Sequence, residues 1–269
     1  MSALTFSLKI PLQFAVNCAV LSPAYLAGKS LAQIAALSIE HGRTRMRLDQ
    51  VFVISGQDTQ DLHIKNSSSQ LDYLGANMGS GSLLVEGDAG MYLGFGMKGG
   101  EVHCLGNTKS FAACNMQNGL LIIDGNTVDF LAGASAGLRK GMAGGTVVLK
   151  GNAGDRVADQ MRRGLVLIEG NVGDYCGSRM IAGTVGVLGN VGLYAGFSMR
   201  RGTLLFSREP QLHATMQACG SHTLPFLTLL LKSFAPYSTR FANSNAQRVK
   251  RWLGDAANNG MGEILLISD

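Results

Sequence analysis

Side chains with catalytic or metal-binding potential are few and scattered in this chain. Its five histidines occur singly, at His41, His63, His103, His213 and His222, and never as an H-x-H or H-E-x-x-H pair. Its five cysteines form no C-x-x-C pair and match no zinc or iron–sulfur spacing. The sequence therefore predicts neither a nucleophile beside a base nor a set of metal ligands.

A repeat of 19 residues organises the middle of the chain. The glycine that ends each apolar run recurs after 19, 19, 26, 19 and 19 residues, and a methionine and a second glycine follow the same steps. One insertion of seven residues thus interrupts a single period. The methionines of this period are Met78, Met97, Met116, Met142, Met161, Met180 and Met199.

Each unit opens with a short β-rich run, such as SLLVEG or LVLIEG, that ends in glycine. Nineteen residues leave no room for a crossover helix between such strands. The sequence therefore predicts an all-β fold, a right-handed parallel β-helix of about seven 19-residue coils.

Stacked coils turn each position of the period into a column. The second and fourth strand positions and the methionines are expected to point inward. The residue after the turn glycine is expected to form an amide ladder at one corner, through Asn107, Asn126, Asn152, Asn171 and Asn190.

The third strand position is expected to point outward, and it is apolar in most repeats. Large apolar side chains in one outward column must be covered by the ends of the chain or by another protein. We therefore predict a partner interface at Leu84, Ile122, Val148 and Leu167.

Three patterns in the repeat mimic functional motifs. The stretch GMYLGFGMKGG at 90–100 resembles a dinucleotide loop, but such a loop needs a strand–turn–helix unit, which the coil excludes. The acids Glu86, Asp124 and Glu169 fall about two coils apart on an outer face, too far for paired acid–base catalysis. One methionine per coil indicates core packing more simply than a metal site. No catalytic residue is predicted.

The two ends of the chain lack the period and are predicted to be caps rather than independent domains. We assign residues 1–60 to an N-terminal cap of mixed α/β structure, 61–206 to the repeats and 207–269 to a helical C-terminal docking region. In the last, PFLTLLLKSFAPYS and NAQRVKRWLGDAA are predicted to be helical. The insertion falls in FLAGASAGLRK, a loop expected to serve a surface contact.

Charge and hydropathy narrow the classes of partner. The formal net charge is +5, and arginine pairs at Arg162/Arg163 and Arg200/Arg201 indicate solvated positions or contacts with acidic partners rather than nucleic acid. The longest apolar run, PFLTLLL, falls short of the ~18–20 residues that cross a bilayer. An odd number of cysteines without a signal peptide predicts free thiols and a cytoplasmic protein.

The coil pattern of strand, Gly-Asn-x-Gly, Met and Gly resembles the glycine-rich β-helix of the C-terminal domain of glutamate synthase. With the chain length and the tail RWLGDAANNGMGEILLI, it resembles more specifically the family of the formylmethanofuran dehydrogenase C subunit. That family includes the C subunit of the bacterial formyltransferase/hydrolase complex.

This resemblance implies a non-catalytic scaffold subunit. The chemistry would reside in an amidohydrolase-like A subunit, a molybdopterin-enzyme-like B subunit and a formyltransferase D subunit. The bacterial complex would transfer a formyl group from tetrahydromethanopterin to a methanofuran-type carrier and hydrolyse it to formate. This chain would bind no cofactor, and any metals would lie in other subunits.

Three alternatives stay open from the sequence. One is the C subunit of the archaeal tungsten or molybdenum formylmethanofuran dehydrogenase, which reduces carbon dioxide; low total charge and abundant Asn, Gln, Met and Cys favour the bacterial complex over this. The second is a stand-alone structural β-helix oligomer. The third is an enzyme that uses a side groove of the solenoid, for which the required cluster of acids and bases is missing from every column.

Overall fold

The computed structural model describes residues 2–243, 246 and 248–267, and its fold is all-β in class. The strands are β1 (Ala3–Leu8), β2 (Val16–Asn17), β3 (Ser38–His41), β4 (Thr44–Arg47), β5 (Phe52–Ser55), β6 (Asp58–Ser67), β7 (Leu71–Asp72), β8 (Ser82–Gly87), β9 (Lys98–Cys104), β10 (Asn118–Ile123), β11 (Thr146–Leu149), β12 (Leu165–Ile168), β13 (Thr184–Val187), β14 (Thr203–Phe206), β15 (Gln217–Thr223), β16 (Arg248–Gly254) and β17 (Gly262–Ile267). The α-helices are α1 (Pro23–Leu26), α2 (Leu31–Ala35), α3 (Leu48–Val51) and α4 (Pro225–Lys232), and the 3₁₀ helices are η1 (Ala235–Tyr237), η2 (Arg240–Asn243) and η3 (Ala256–Asn258).

Thirteen strands form one sheet in the order β15-β16-β17-β14-β13-β12-β11-β10-β9-β8-β6-β1-β5. From β6 to β14 every pairing is parallel, and each strand pairs with the strand of the next repeat. Parallel bridges at Ala89–Thr108–Thr127 and Ala153–Val172–Val191 repeat this pairing outside the sheet. The parallel series within 58–206 contains eight strands, which are separated by seven steps from one repeat to the next.

The interior of the repeats is apolar, as the sequence predicts. All seven methionines of the period are fully buried, as are the residues at the second and fourth positions of the apolar runs, of which Val102 and Ile123 are examples. Flexible thioethers fill the irregular space beside these stiff β-branched side chains.

Methionine and glycine share a period because they meet across neighbouring repeats. A Cβ added to Gly164 would lie 2.8 Å from Cε of Met142 and 2.8 Å from the carbonyl oxygen of Gly145. The same contact links Met116 to Gly145 and Met161 to Gly183. Each glycine therefore leaves the space that the methionine one repeat earlier occupies.

The N-terminal segment extends one end of the sheet. The stretch LTFSLKI supplies a strand: β1 pairs in parallel with β6 and antiparallel with β5. A small sheet in the order β4-β3-β2-β7 joins this segment to residues 71–72. The stretch that follows Ser22 forms two short helices, α1 and α2, and a capping box between Ser30 and Gln33 starts the second one.

The C-terminal segment differs from the prediction in its second half. PFLTLLLKSFAPYS does form α4 and η1, but most of NAQRVKRWLGDAA forms the strand β16, which lies between β15 and β17. Strand β17 pairs in parallel with β14. Backbone hydrogen bonds at the open edge of the last repeat therefore outweigh the helix propensity of this segment. Ser244, Asn245 and Gln247, which belong to the predicted helix or lie beside it, are outside the described residues.

Within the described ranges, no helix is both long enough and apolar enough to cross a membrane.

Replacing Gly164 by Ala tests the packing between repeats. The added Cβ would clash with Met142 and with backbone, at a φ of +109°, so we expect a loss of about 3 kcal/mol or more in the free energy of unfolding. Gly137→Ala is the control, because its φ is +81° but nothing lies within 4 Å of the new Cβ. It should cost only about 1–2 kcal/mol. Urea unfolding followed by circular dichroism measures both, and equal losses would contradict the proposed contact.

Candidate functional site

The outer face of the large sheet is formed by the residue at the third position of each apolar run and by its partners in strand register. Strand register places these residues in one column, which we call the outer column. It contains His63, Leu84, His103, Ile122, Val148, Leu167, Gly186, Leu205 and Leu265.

The later half of the outer column is covered by the chain itself. The covering segment is residues 225–241, which we call the C-terminal cover. Gly186 lies under it, where an added Cβ would come within 2.7 Å of Cζ of Phe241. The buried cluster between column and cover includes Leu167, Leu205, Leu265, Leu227, Leu231, Phe234 and Phe241.

Val148 and Leu167 are therefore not surface residues, which corrects their predicted place in a partner interface. Both side chains are 0% exposed within this single chain. The cover is longer than α4 alone, because η1 and η2 continue it beyond that helix. An aspartate at either position would place a charge inside the protein.

Polar contacts fasten the C-terminal cover to the repeats. The backbone N–H of Arg240 and its Nε donate to the carboxylate of Glu169, at 2.8 and 3.0 Å. The hydroxyls of Tyr237 and Thr146 lie 3.3 Å apart. These contacts place the edge of the cover at β11, so the earlier strands remain without it.

The earlier half of the outer column is only partly buried. Leu84, His103 and Ile122 each keep some solvent exposure, and Leu105 beside them is 43% exposed. We call these four residues the uncovered half. A groove of about 510 Å³ follows its edge from Ser82 to Tyr237 of the cover, with lining that includes Glu101, Leu120 and Thr146.

The carboxylate of Asp124 and the side chain of Lys150 lie beside the uncovered half. Nε2 of His103 lies 3.0 Å from Oδ2 of this carboxylate, and Nζ of Lys150 lies 2.7 Å from Oδ1, in an electrostatic contact without hydrogen-bond alignment. Partial burial opposes ionisation, but the two cationic or donor groups outweigh it and lower the pKa of Asp124 below its ordinary value.

The predicted asparagines lie in one ladder along a corner of the repeats. The side-chain Nδ2 and the backbone N–H of Asn126 both donate to Oδ1 of Asn107, at 3.1 and 2.9 Å. Asn152 and Asn171 repeat this pair of bonds, and Asn190 adds a backbone bond to Asn171. Asn107, Asn126 and Asn152 thus each satisfy two donors of the next repeat, and Asn171 satisfies one, so the ladder is structural.

A second ladder is made of carboxylates, and sequence reasoning missed it. Oδ1 of Asp129 accepts the backbone N–H of Asp155 (2.8 Å), and Oδ1 of Asp155 accepts that of Asp174 (2.8 Å). Asp174 in turn accepts the N–H of Leu193 at 2.7 Å. The steps of 26 and 19 residues between these aspartates were visible in the sequence.

A stack of rings lies directly beside the carboxylate ladder and was also missed. Successive ring centroids are 4.7–5.1 Å apart wherever two rings are neighbours. Arg156 fills the one position without a ring, with its guanidinium carbon 4.8 Å from the centroid of Tyr175 and 5.9 Å from that of Phe130. The complete stack is Tyr73, Tyr92, Phe111, Phe130, Arg156, Tyr175 and Tyr194.

Among the residues that the structure describes, the reactive side chains do not form a catalytic arrangement. Burial raises the pKa of the Cys104 thiol to about 11 and that of Cys176 to about 12, so both are poor nucleophiles near neutral pH. In the part of the chain that the structure describes, no three His, Cys, Asp or Glu side chains come together as a possible metal site. The geometry supports binding at a surface.

Sequence comparison finds similarity to two curated proteins and to one family. A model of the GXGXG motif family matches residues 41–220. The C subunit of the formyltransferase/hydrolase complex Fhc of Methylorubrum extorquens is 36% identical over 86 residues, or 32% of each chain. The C subunit of the tungsten-containing formylmethanofuran dehydrogenase 2 of Methanocaldococcus jannaschii is 38% identical over 58 residues, 20% of this chain and 21% of that protein. The aligned stretches thus span a third or less of these relatives.

Structural similarity extends much further. A chain in the crystal structure of the formyltransferase/hydrolase complex FhcABCD from Methylorubrum extorquens, in complex with methylofuran, matches with a TM-score of 0.93 and 35% identity. The match covers 98% of this chain and 100% of that one.

The lowered pKa of Asp124 predicts a pH-dependent contribution to stability. Because the folded pKa is below the unfolded value of about 3.9, the stabilisation is present above that value and is lost as the pH falls through the folded pKa. Asp124→Asn should therefore lower the free energy of unfolding by about 1 kcal/mol near pH 7, and this deficit should shrink as the pH falls through the folded pKa.

Urea unfolding at several pH values measures this difference. Glu101→Gln is the control, because Glu101 is an exposed acid at the same face with no ion-pair partner among the described residues. A deficit of Asp124→Asn that persists unchanged in acid would exclude the charged contacts as its cause.

Proposed function

The chain belongs to the GXGXG motif family and to the same family as the component of the formyltransferase/hydrolase complex that it matches over its whole length, and we propose that it is the C subunit of such a complex. The observation that carries this proposal is the structural match at 35% identity over 98% of the chain. Convergent evolution of a similar fold would not produce 35% sequence identity over nearly the whole length of both chains.

In this proposal the chain is a non-catalytic scaffold. Its partners are the amidohydrolase-like A subunit, the molybdopterin-enzyme-like B subunit and the formyltransferase D subunit. The complex transfers a formyl group from formyl-tetrahydromethanopterin to a methanofuran-type carrier and hydrolyses it to formate, in the cytoplasm. The buried, neutral thiols and the structural role of both polar ladders support a subunit whose work is binding.

The second candidate is the C subunit of a formylmethanofuran dehydrogenase. It is favoured by one observation, the identity of 38% to the Methanocaldococcus jannaschii protein, which extends over 58 residues only. Metal analysis of the purified complex separates the two, because a dehydrogenase would carry tungsten or molybdenum with iron and sulfur, and a formyltransferase/hydrolase would not carry them.

We also propose the finer architecture that the sequence predicts, a right-handed parallel β-helix. Parallel pairing at every step from β6 to β14, two further sets of parallel bridges and three continuous side-chain columns support it. Residues 1–60 and 207–269 would then cap the repeats of 61–206. Both caps contribute strands to the same large sheet, which favours caps over separate domains.

The uncovered half of the outer column is the proposed place of contact with a partner subunit. Leu84 and Ile122 remain from the interface that the sequence predicts, and Leu105 enlarges their apolar surface. The patch continues the face that the C-terminal cover already buries, so a partner would extend an existing hydrophobic contact.

Purification of the tagged chain from its native cells tests the proposal. We expect the A, B and D subunits to co-purify with the wild type, and Leu84→Asp/Ile122→Asp to lose at least one of them because two charges would be buried without partners. Its melting temperature should stay within a few degrees of the wild type, because neither side chain lies in the core.

Two controls interpret this result. Val53→Asp/Val128→Asp changes two exposed valines elsewhere and should keep all partners. Leu167→Asp should unfold the C-terminal cover, because Leu167 is fully buried beneath it. A wild-type chain that purifies only as a multimer of itself would replace the proposal by the stand-alone β-helix oligomer.

A further inference from the structure

The corner that follows the methionine column presents a regular row of side chains. The backbone N–H of Arg162 donates to the carbonyl of Met142 at 2.8 Å, and that of Arg200 donates to Met180 at 2.8 Å. Ala143 and Ile181 make the same bond in their own repeats. Residues at this corner therefore stack one per repeat, about 4.8 Å apart along the stacking direction.

Two arginine pairs and the insertion loop make this corner strongly basic. Arg162 and Arg163 lie two repeats from Arg200 and Arg201, with Ile181 and Ala182 between the pairs. The insertion loop adds Arg139 and Lys140 beside them. All six cationic side chains are exposed.

These six cations have no acceptor within the described part of the chain. None of them forms an ion pair or a side-chain hydrogen bond there, and no acidic residue lines either cavity at this corner. The cations that do pair with carboxylates all lie elsewhere; they are Arg47, Lys150, Arg179, Arg240, Lys250 and Arg251. Six like charges held together without compensation are unfavourable unless an anion joins them.

The basic residues line one continuous groove. A cavity of about 700 Å³ between the insertion loop and the repeats adjoins one of about 650 Å³ between the arginine pairs, and the two share Ala143 and Arg162. Small residues, Ala143 and Ala182, form part of the lining between the longer side chains. We call this surface the basic groove.

The shape of the basic groove suits an extended chain rather than a small anion. From Gln117 to Arg200 it crosses four steps between repeats, or roughly 19 Å. An extended peptide spans that distance with about six residues. Guanidinium groups bind carboxylates through paired hydrogen bonds, so two arginine pairs about 10 Å apart can hold acids at several positions of such a peptide.

Nucleic acid fits the groove less well. Single strands are held by aromatic side chains on which bases stack, and no aromatic residue lines either of the two cavities. The lining residues other than the cations are amides, alanines, glycines, one leucine and one isoleucine. These suit the backbone and short side chains of a peptide.

We propose that the basic groove binds an extended, carboxylate-rich segment of a partner subunit. The insertion loop forms one wall, and Arg162, Arg163, Arg200 and Arg201 supply the charge that holds the segment. The identification of the partner as a subunit of the same complex rests on the function proposed above, whereas the preference for an acidic peptide does not.

Binding of a fluorescent acidic peptide to the purified full-length chain tests the preference. The probe is a peptide of about twelve residues with alternating Glu and Ala, followed by anisotropy at low and high salt. We expect binding at low salt that weakens as salt rises, and no binding of the Gln-for-Glu version. Arg162→Glu/Arg200→Glu should weaken binding about tenfold or more.

The matched control is Arg43→Glu/Arg45→Glu, which makes the same change in net charge at two exposed arginines in and beside β4. It should change the affinity less than about twofold. Circular dichroism should show both variants folded, because all four side chains are exposed. Equal losses in the two variants, or no binding of the acidic peptide by the wild type, would overturn the inference.

A second experiment measures which partner subunits co-purify with each variant from native cells. If Arg162→Glu/Arg200→Glu reduces the retained partner subunits and Arg43→Glu/Arg45→Glu does not, the groove contacts a partner. If all partners are kept and the peptide does not bind, the groove inference fails while the proposed function stands. If the peptide binds but no such subunits co-purify, the proposed function fails and the groove remains. Tighter binding of polyphosphate or single-stranded DNA than of the peptide would overturn the assignment to a protein segment.

Discussion

The distance between one repeat and the next constrains every other feature of this protein. Backbones of neighbouring strands lie about 4.8 Å apart, and at the corners they approach even closer than a side chain allows. A Cβ on Gly151 would lie 2.3 Å from the carbonyl oxygen of Gly125, and one on Gly170 would lie 2.4 Å from that of Gly151. Glycine is required at these corners, and the residues beside it must bond to, or stack on, their own copies one repeat away.

Each of the three side-chain columns fits the spacing between repeats in a different way. Asparagine satisfies two donors of the next repeat with one oxygen, and aspartate satisfies the backbone N–H of the next repeat in the same way. Aromatic rings stack face to face at the same spacing, even though Tyr92 and Tyr175 must adopt a positive φ to do so. Arg156 continues the stack as a planar cation.

Stacking leaves one long sheet face whose two halves differ in solvent exposure. The C-terminal cover buries the later half and is fastened by Arg240 and Tyr237. The earlier half keeps Leu84, Ile122 and Leu105 available for a partner. The basic groove offers a charged surface at a different corner. A scaffold with one apolar and one cationic surface can hold two different partners in a fixed relation, which agrees with a place in a multi-subunit complex.

Periodicity in the sequence was enough to establish the repeats, because a spacing fixed by hydrogen bonds forces the same residue types to recur at the same step. It predicted the buried methionines and the positions of the asparagines, and the carboxylate and aromatic columns were equally visible in it. Only tertiary packing decided that Val148 and Leu167 are buried, because the residues that cover Leu167 lie far from it in the chain. Tertiary packing also made the segment around Trp252 a strand: local propensity favours a helix there, but the unpaired edge left by β14 and taken up by β17 offers a sheet to join.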